Sequence, residues 1–256
     1  MIRVTWPAPQ VALVTIISPS NKNALTRSLL TQLCATLRDL NGSDSAAAVI
    51  LAGSDGPPPC FSAGLDITEL ASLPENEVME SLDLLALTLN TGIFIPLIAA
   101  VGGTAVGGGC ELALACDIVY TTKHASFALP EVRLGLLAAG GGVRRLPGAV
   151  GAARAANLLL TGKAWSGAEA VSWGMAIEAC DTWKDCLNAA IDCGRAIATN
   201  GLKAVRATKM MLRLGNQTQL FEDQLALERR TFKELLGSEE HSKRRTAWLN
   251  RKKSGR

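Results

Sequence analysis

Two glutamates, Glu111 and Glu131, stand twenty residues apart, each just after residues that shape a tight backbone turn. Glu111 closes the run Gly107-Gly108-Gly109-Cys110-Glu111, and Glu131 ends Ala128-Leu129-Pro130-Glu131. Glycines that expose backbone N–H groups beside a pair of carboxyls supply both halves of an acid/base reaction and a place for a developing oxyanion. A second turn, Phe61-Ser62-Ala63-Gly64-Leu65-Asp66, follows a proline break and leads into polar, helix-starting residues, so it too presents amide donors. Paired acids also serve glycosidases, and by themselves they leave the reaction open.

Several other chemistries lose support. Gly102 and Gly107 have the spacing of a phosphate-cradling loop, but Gly108 occupies the place of its lysine. No GxGxxG follows a strand, which argues against a dinucleotide fold. No GxSxG exists, and neither His124 nor His241 adjoins a serine or cysteine nucleophile. The seven cysteines form no CxxC pair, so no metal site and no disulfide framework is expected; they read as buried free thiols in a reducing compartment.

The elements that must carry these residues follow from periodicity. Residues 11–17 form a β-branched run that ends in Ser18-Pro19-Ser20-Asn21, a strand closing in a turn. Leu25, Leu29, Leu33, Leu37 and Leu40 mark a helix over 24–40. Strands are expected at 47–51, 95–101 and 118–121, with a helix over 110–116. Apolar strands alternating with helices give an α/β fold with covered sheets. Beyond residue 151 the pattern is mainly helical, at 152–160, 168–174, 183–198, 202–214 and 218–236. The last of these is half apolar, which fits packing on a core or at a subunit interface.

With 256 residues, 48% of them hydrophobic, the chain can bury a large core. Its net charge of +3 is uneven: residues 241–256 hold seven bases and no acid, leaving 19 bases against 23 acids in the remainder. That basic end reads as a solvated tail or as an anion site, and RNA binding is the corresponding non-enzymatic reading. Residues 11–17 are too few to cross a bilayer, so a soluble intracellular protein without a membrane partner is expected.

Three segments together resemble the crotonase (enoyl-CoA hydratase/isomerase) family: Ser62-Ala63-Gly64-Leu65-Asp66, the stretch from Ala99 through Gly107-Gly108-Gly109-Cys110-Glu111 to Asp117, and Phe127-Ala128-Leu129-Pro130-Glu131. Gly135, Gly141-Gly142, Arg145-Leu146, Val150-Gly151 and Leu160-Thr161-Gly162 continue the match in order. The resemblance implies a ββα-spiral core, taken as residues 1–198, and a C-terminal helical region, 199–256, that mediates trimers often paired into hexamers. It implies an acyl-CoA thioester substrate, with coenzyme A as part of that substrate and no further cofactor. The amides of Leu65 and Gly108 would form the oxyanion hole, and Glu111 and Glu131 would hold one water. Glu131 would take its proton and deliver a proton at C2, while Glu111 orients the oxygen toward C3 as a second acid/base. Lys22 and Arg251 lie where the family places phosphate-contacting cations, and Ala63, Leu65, Asp66, Ile67 and Thr68 border the CoA-binding turn. Reversible hydration of a 2-enoyl-CoA is therefore the expected activity. The Δ3,Δ2-enoyl-CoA isomerase branch is the alternative; it needs one proton shuttle and keeps the acid matching Glu131. One departure stands out: Ala138-Ala139 replaces the proline and glycine that many family hydratases have before the Gly-Gly pair, a change that bears on the loop's stiffness and the acyl pocket.

Overall fold

The computed structural model describes residues 1–54, 56, 59–90, 92–215 and 220–253; the side chains of 90, 213–215, 220–225, 227, 228, 240, 244, 248 and 251–253 lie outside the description. In chain order the elements are β1 (Ile2–Ala8), β2 (Val11–Ile16), α1 (Arg27–Gly42), β3 (Ala48–Gly53), β4 (Cys60–Ser62), α2 (Ile67–Leu70), α3 (Glu75–Asn90), β5 (Leu97–Val101), β6 (Thr104–Val106), α4 (Gly108–Leu114), β7 (Ile118–Thr122) and β8 (Ser126–Ala128). There follow α5 (Gly142–Val150), α6 (Ala152–Thr161), β9 (Trp165–Ser166), α7 (Gly167–Ser172), β10 (Glu178–Cys180), α8 (Trp183–Ala198), α9 (Leu202–Gly215), α10 (Leu220–Leu236) and α11 (Glu239–Lys253).

Consecutive strands divide between two sheets. The larger has the order β1-β2-β3-β5-β7-β10, and the smaller β4-β6-β8-β9. The chain thus passes from β3 to β4, from β5 to β6 and from β7 to β8, each time leaving one sheet for the other before a helical segment returns it, which is the ββα spiral. All pairings are parallel except β1 with β2 and β8 with β9.

Both faces of the larger sheet are covered, which is why its central strands read as continuous apolar runs. Along β3, Val49 and Leu51 face the main core with Leu30, Leu33 and Phe61, whereas Ala48, Ile50 and Ala52 face the cluster that includes Cys186 and Ala190 of α8. Small residues on that second face let the helix lie close.

Several expectations change at their edges. Helix α1 starts at Arg27 because the Thr26 side chain accepts the Leu29 amide and caps it. Strand β1, α3 and α5 add to the expected elements, and two short strands, β9 and β10, interrupt the region expected to be mainly helical. Most of the basic end lies in a helix, α11. The start of the helix expected at 218–236 falls on residues 218 and 219, outside the described residues.

The C-terminal helices brace the core. Lys209 of α9 is 4% exposed; its Nζ donates to the Ile95 carbonyl at 2.6 Å and pairs with Asp117 at 2.6 Å. Asp117 also accepts the Leu97 amide at 2.7 Å, so the pair joins α9 to β5 and to the chain leaving α4. Burying Lys209 costs solvation that these partners offset, and removing the ammonium takes the opposite charge away from the part-buried carboxylate. Lys209→Met is therefore expected to lower the unfolding free energy by about 3 kcal/mol in urea titrations, with much of that loss restored by adding Asp117→Asn.

Candidate active site

The two glycine turns meet. Gly64 has φ +85°, and a Cβ there would stand 2.9 Å from the Gly108 nitrogen; a Cβ on Gly108 would stand 3.5 Å from the Leu65 nitrogen. Gly107 caps α4 at φ 54°, ψ −127°, a conformation that a side chain would resist. Among the described residues neither the Leu65 nor the Gly108 amide has a hydrogen-bond acceptor. The flanking groups are engaged: Leu25 donates its amide to Gly64 O at 2.7 Å, and Asp66 donates to Leu25 O at 3.2 Å. That alternation turns the Leu65 amide away from Leu25 and toward the Gly108 turn.

Ser62 and Asn23, which the sequence reading passed over, hold the first turn. The Ser62 hydroxyl donates to Asn23 O at 2.8 Å and accepts the Gly64 amide at 3.1 Å. Asn23 is fully buried, and its side-chain amide donates to Cys60 O at 2.7 Å and Ser54 Oγ at 3.0 Å. The sequence signal was a buried-type polar pair, Asn23 and Ser62, flanking apolar residues, but its partners are 39 residues apart.

Both glutamates reach this place. Glu111 lies in the first turn of α4 and is 2% exposed. Its Oε1 accepts the Gly142 amide at 2.9 Å, and the Gly140 amide is a second donor to the carboxylate. A Cβ on Gly140 would stand 2.6 Å from Glu111 Oε2. The glycines of 140–142 therefore make room for the acid and feed it amides, a role beyond the loop stiffness considered from sequence. Glu131 opens a 3-10 turn, Glu131–Leu134, after β8, and its Oε1 would lie 3.1 Å from a Cβ on Gly107. Its Oε2 is buried without a hydrogen-bond partner among the described residues. From α11, His241 donates Nδ1–H to the Leu134 carbonyl at 2.8 Å and braces that turn.

The two acids are thus unequal. Burial raises the Glu111 carboxyl above its ordinary range, while the Gly142 amide, the Arg145 guanidinium and the Gly140 amide draw it back. Burial, then the charge of Glu111, pushes Glu131 up to about 8. Glu131's own amide offsets that rise only in part, and its Oε2 has no donor; a buried carboxyl keeps its charge where donors meet it and its proton where they are fewer. Its amide donors make Glu111 the better placed of the two to carry the charge, and Glu131 the better placed to hold the proton.

Leu65 also borders an apolar cluster of Val78 and Leu82 from α3, Ala139, and Phe232 from α10. The remaining expected residues scatter around the first turn. Ala63 donates its amide to Lys22 O at 3.0 Å, so the exposed Lys22 adjoins it. Asp66 caps α2, accepting from the Thr68 and Glu69 amides, and Ile67 and Thr68 begin that helix. Arg251 belongs to α11, and its side chain lies outside the described residues. Among the described residues no cluster of His, Cys, Asp and Glu could hold a metal ion, and no helix is long and apolar enough to cross a membrane.

A family model described as enoyl-CoA hydratase/isomerase matches residues 8–255. The mitochondrial enoyl-CoA hydratase of Pongo abelii is 32% identical, over 95% of this chain and 82% of that protein. Among solved structures, an enoyl-CoA hydratase from Bacillus anthracis is 31% identical with a TM-score of 0.80, covering 100% of this chain and 96% of that one. An enoyl-CoA hydratase/isomerase from Mycobacterium paratuberculosis reaches a TM-score of 0.86 at 27% identity, covering 96% of this chain and 97% of the other.

Holding Glu131 protonated has a stability signature. Its carboxyl binds a proton more tightly folded than unfolded, so native stability falls as pH rises from the ordinary glutamate range to about 8. Glu131→Gln removes that dependence. The variant is expected to match the wild type near pH 4 and to exceed it by about 2 kcal/mol at neutral pH in urea unfolding.

Proposed function

Because the chain belongs to the enoyl-CoA hydratase/isomerase family, we propose that it is a hydratase-like lyase that reversibly adds water, syn, to a 2-enoyl-CoA to give a 3-hydroxyacyl-CoA. The observation that supports this best is the pair of buried, unequally hydrogen-bonded glutamates beside two unengaged amides. The thioester oxygen would sit between the Leu65 and Gly108 amides. As oxygen adds at C3, negative charge moves onto that oxygen, and fixed donors stabilise the enolate more than the ground state.

The division of charge refines the roles of the acids. Glu111, ionised, accepts a proton from the water whose oxygen bonds to C3. Glu131, protonated, gives its proton to C2 as the enolate collapses. The pair ends with its one proton on Glu111, and transfer back to Glu131 resets it. Dehydration runs the same steps in reverse from that second tautomer, so both directions need one proton on the pair. This assigns the first proton acceptance to Glu111 rather than to Glu131.

Coenzyme A arrives as part of the substrate, and no further cofactor enters the reading. Lys22, Ala63, Asp66, Ile67, Thr68 and Arg251 are proposed to border it, with the apolar cluster of Val78, Leu82 and Phe232 near the acyl chain. Assembly as a homotrimer, or a hexamer of two trimers, is part of the same reading; exposed Leu160, Ile177 and Leu212, at 77%, 65% and 67%, are the apolar surface it would cover. An isomerase would need Glu131 alone. The backbone grip on Glu111 favours hydration, since a second acid has no task in that shuttle.

The test is turnover. Wild-type protein is expected to bleach the conjugated enoyl-thioester absorbance, giving a product heavier by one water. Glu131→Gln and Glu111→Gln should each lose about 10²–10⁴-fold in kcat. The wild-type rate should fall as pH rises through about 8, where Glu131 loses its proton. Conversion of a 3-enoyl-CoA without hydration of the 2-enoyl isomer would favour the isomerase instead.

A further inference from the structure

Arg145 lies in the first turn of α5, 34 residues from Glu111, and faces the other side of the loop that grips it. Its Nη1 donates to the Gly140 carbonyl at 3.0 Å, and its backbone amide donates to the Gly141 carbonyl at 3.0 Å. A Cβ built on Gly141, which has φ +103°, would stand 2.3 Å from Nη1 and 3.1 Å from Cζ. The guanidinium therefore packs against the glycine backbone itself. On the opposite side of that backbone the Gly140 and Gly142 amides meet the Glu111 carboxylate. The guanidinium holds the carbonyl of the 140–141 peptide, and the two peptides flanking it, 139–140 and 141–142, turn their N–H groups to the carboxylate, so cation and anion share one short stretch of backbone.

We propose that Arg145 is a positioning residue that acts through the 140–142 backbone to decide which of the two glutamates carries the negative charge. The inference rests on the hydratase reading for its catalytic consequence, whereas the contact of Arg145 with the loop that grips Glu111 does not depend on that reading. Arg145 touches the loop rather than the proposed substrate. It fixes the loop whose amides Glu111 uses, and its positive charge favours the ionised form of that carboxyl. The other titratable groups facing Glu111 are Glu131 from the 3-10 turn and Cys110 of α4, whose thiol is held protonated by burial and by the two acids. Cys60 of β4 turns its thiol to the Lys22 and Thr104 carbonyls, and β6 contributes no titratable side chain. Without the guanidinium, the single proton of the pair would be shared toward Glu111, and the productive tautomer would become scarce.

Two variants separate charge from shape. Arg145→Gln keeps a polar donor but no charge, and Arg145→Lys keeps the charge but not the planar group. In a Glu131→Gln background with ¹³Cδ-labelled glutamate, NMR follows the titration of Glu111 without any turnover. Adding Arg145→Gln should raise the Glu111 midpoint by about one pH unit, and Arg145→Lys should return most of that shift. With native glutamates, Arg145→Gln should lower kcat about tenfold at neutral pH, leave KM within about twofold, and move the acid limb of the kcat–pH profile up by about one unit. An unmoved Glu111 midpoint in folded Arg145→Gln protein overturns the proposal. So does a moved midpoint with an unchanged kcat–pH profile, or a fall in kcat that Arg145→Lys does not partly reverse. If the wild type hydrates no 2-enoyl-CoA, the functional reading fails instead, and the NMR titration still decides the placement of charge.

Discussion

Two carboxylates cannot both be charged in a buried site at an acceptable cost, and the arrangement around Glu111 and Glu131 follows from that constraint. The pair is resolved by unequal solvation. Two amides and a nearby guanidinium serve Glu111, while Glu131 has an oxygen with no partner. The glycines at 140 and 142 admit the first carboxylate, the 3-10 turn after β8 brings up the second, and His241 steadies that turn from α11. Each feature costs stability locally, as a buried acid or as a glycine turn, and the covered sheets and clamped C-terminal helices offset it.

The spiral explains how residues so far apart in the chain converge. Because β3, β5 and β7 lie side by side in one sheet and β4, β6 and β8 lie side by side and parallel in the other, the turns that follow the latter three leave from the same end of the smaller sheet. The Leu65 turn follows β4, the Gly108 turn follows β6, and Glu131 follows β8. Three successive turns of the spiral thus contribute an amide, an amide with an acid, and a second acid. In the proposed reaction these are the oxyanion donors and the acid/base pair.

Much of this was legible in the sequence where the signal is local. The glycines before Glu111, the Pro130-Glu131 step and the Gly64-Leu65 turn are each set by residues adjacent in the chain, and the strands at β2, β3, β5 and β7 stand out as apolar runs. The unreadable parts are non-local. The grip of 140–142 on Glu111 spans 31 residues, the Ser62 bridge to Asn23 spans 39, and no periodicity encodes either. Strand β1 forms the sheet's edge and is exposed from Arg3 to Trp6, alternating Arg3 and Thr5 with Val4 and Trp6, so it lacks the apolar run that marks its neighbours. Helix α5 begins in glycines and contains Pro147, which hides it from propensity although its packing on α6 and α4 secures it. The unequal proton affinities of the glutamates, above all, depend on who their neighbours are in space.

In the proposed site Glu131 holds the proton and Glu111 the charge at neutral pH. Infrared pH-difference spectroscopy reads this directly, through the carbonyl stretch of a protonated buried carboxyl. A band present at neutral pH is expected to disappear as pH rises through about 8, to survive in Glu111→Gln and to be missing from Glu131→Gln. A band that persists in Glu131→Gln and vanishes in Glu111→Gln, or no protonated carboxyl at neutral pH, would contradict this assignment.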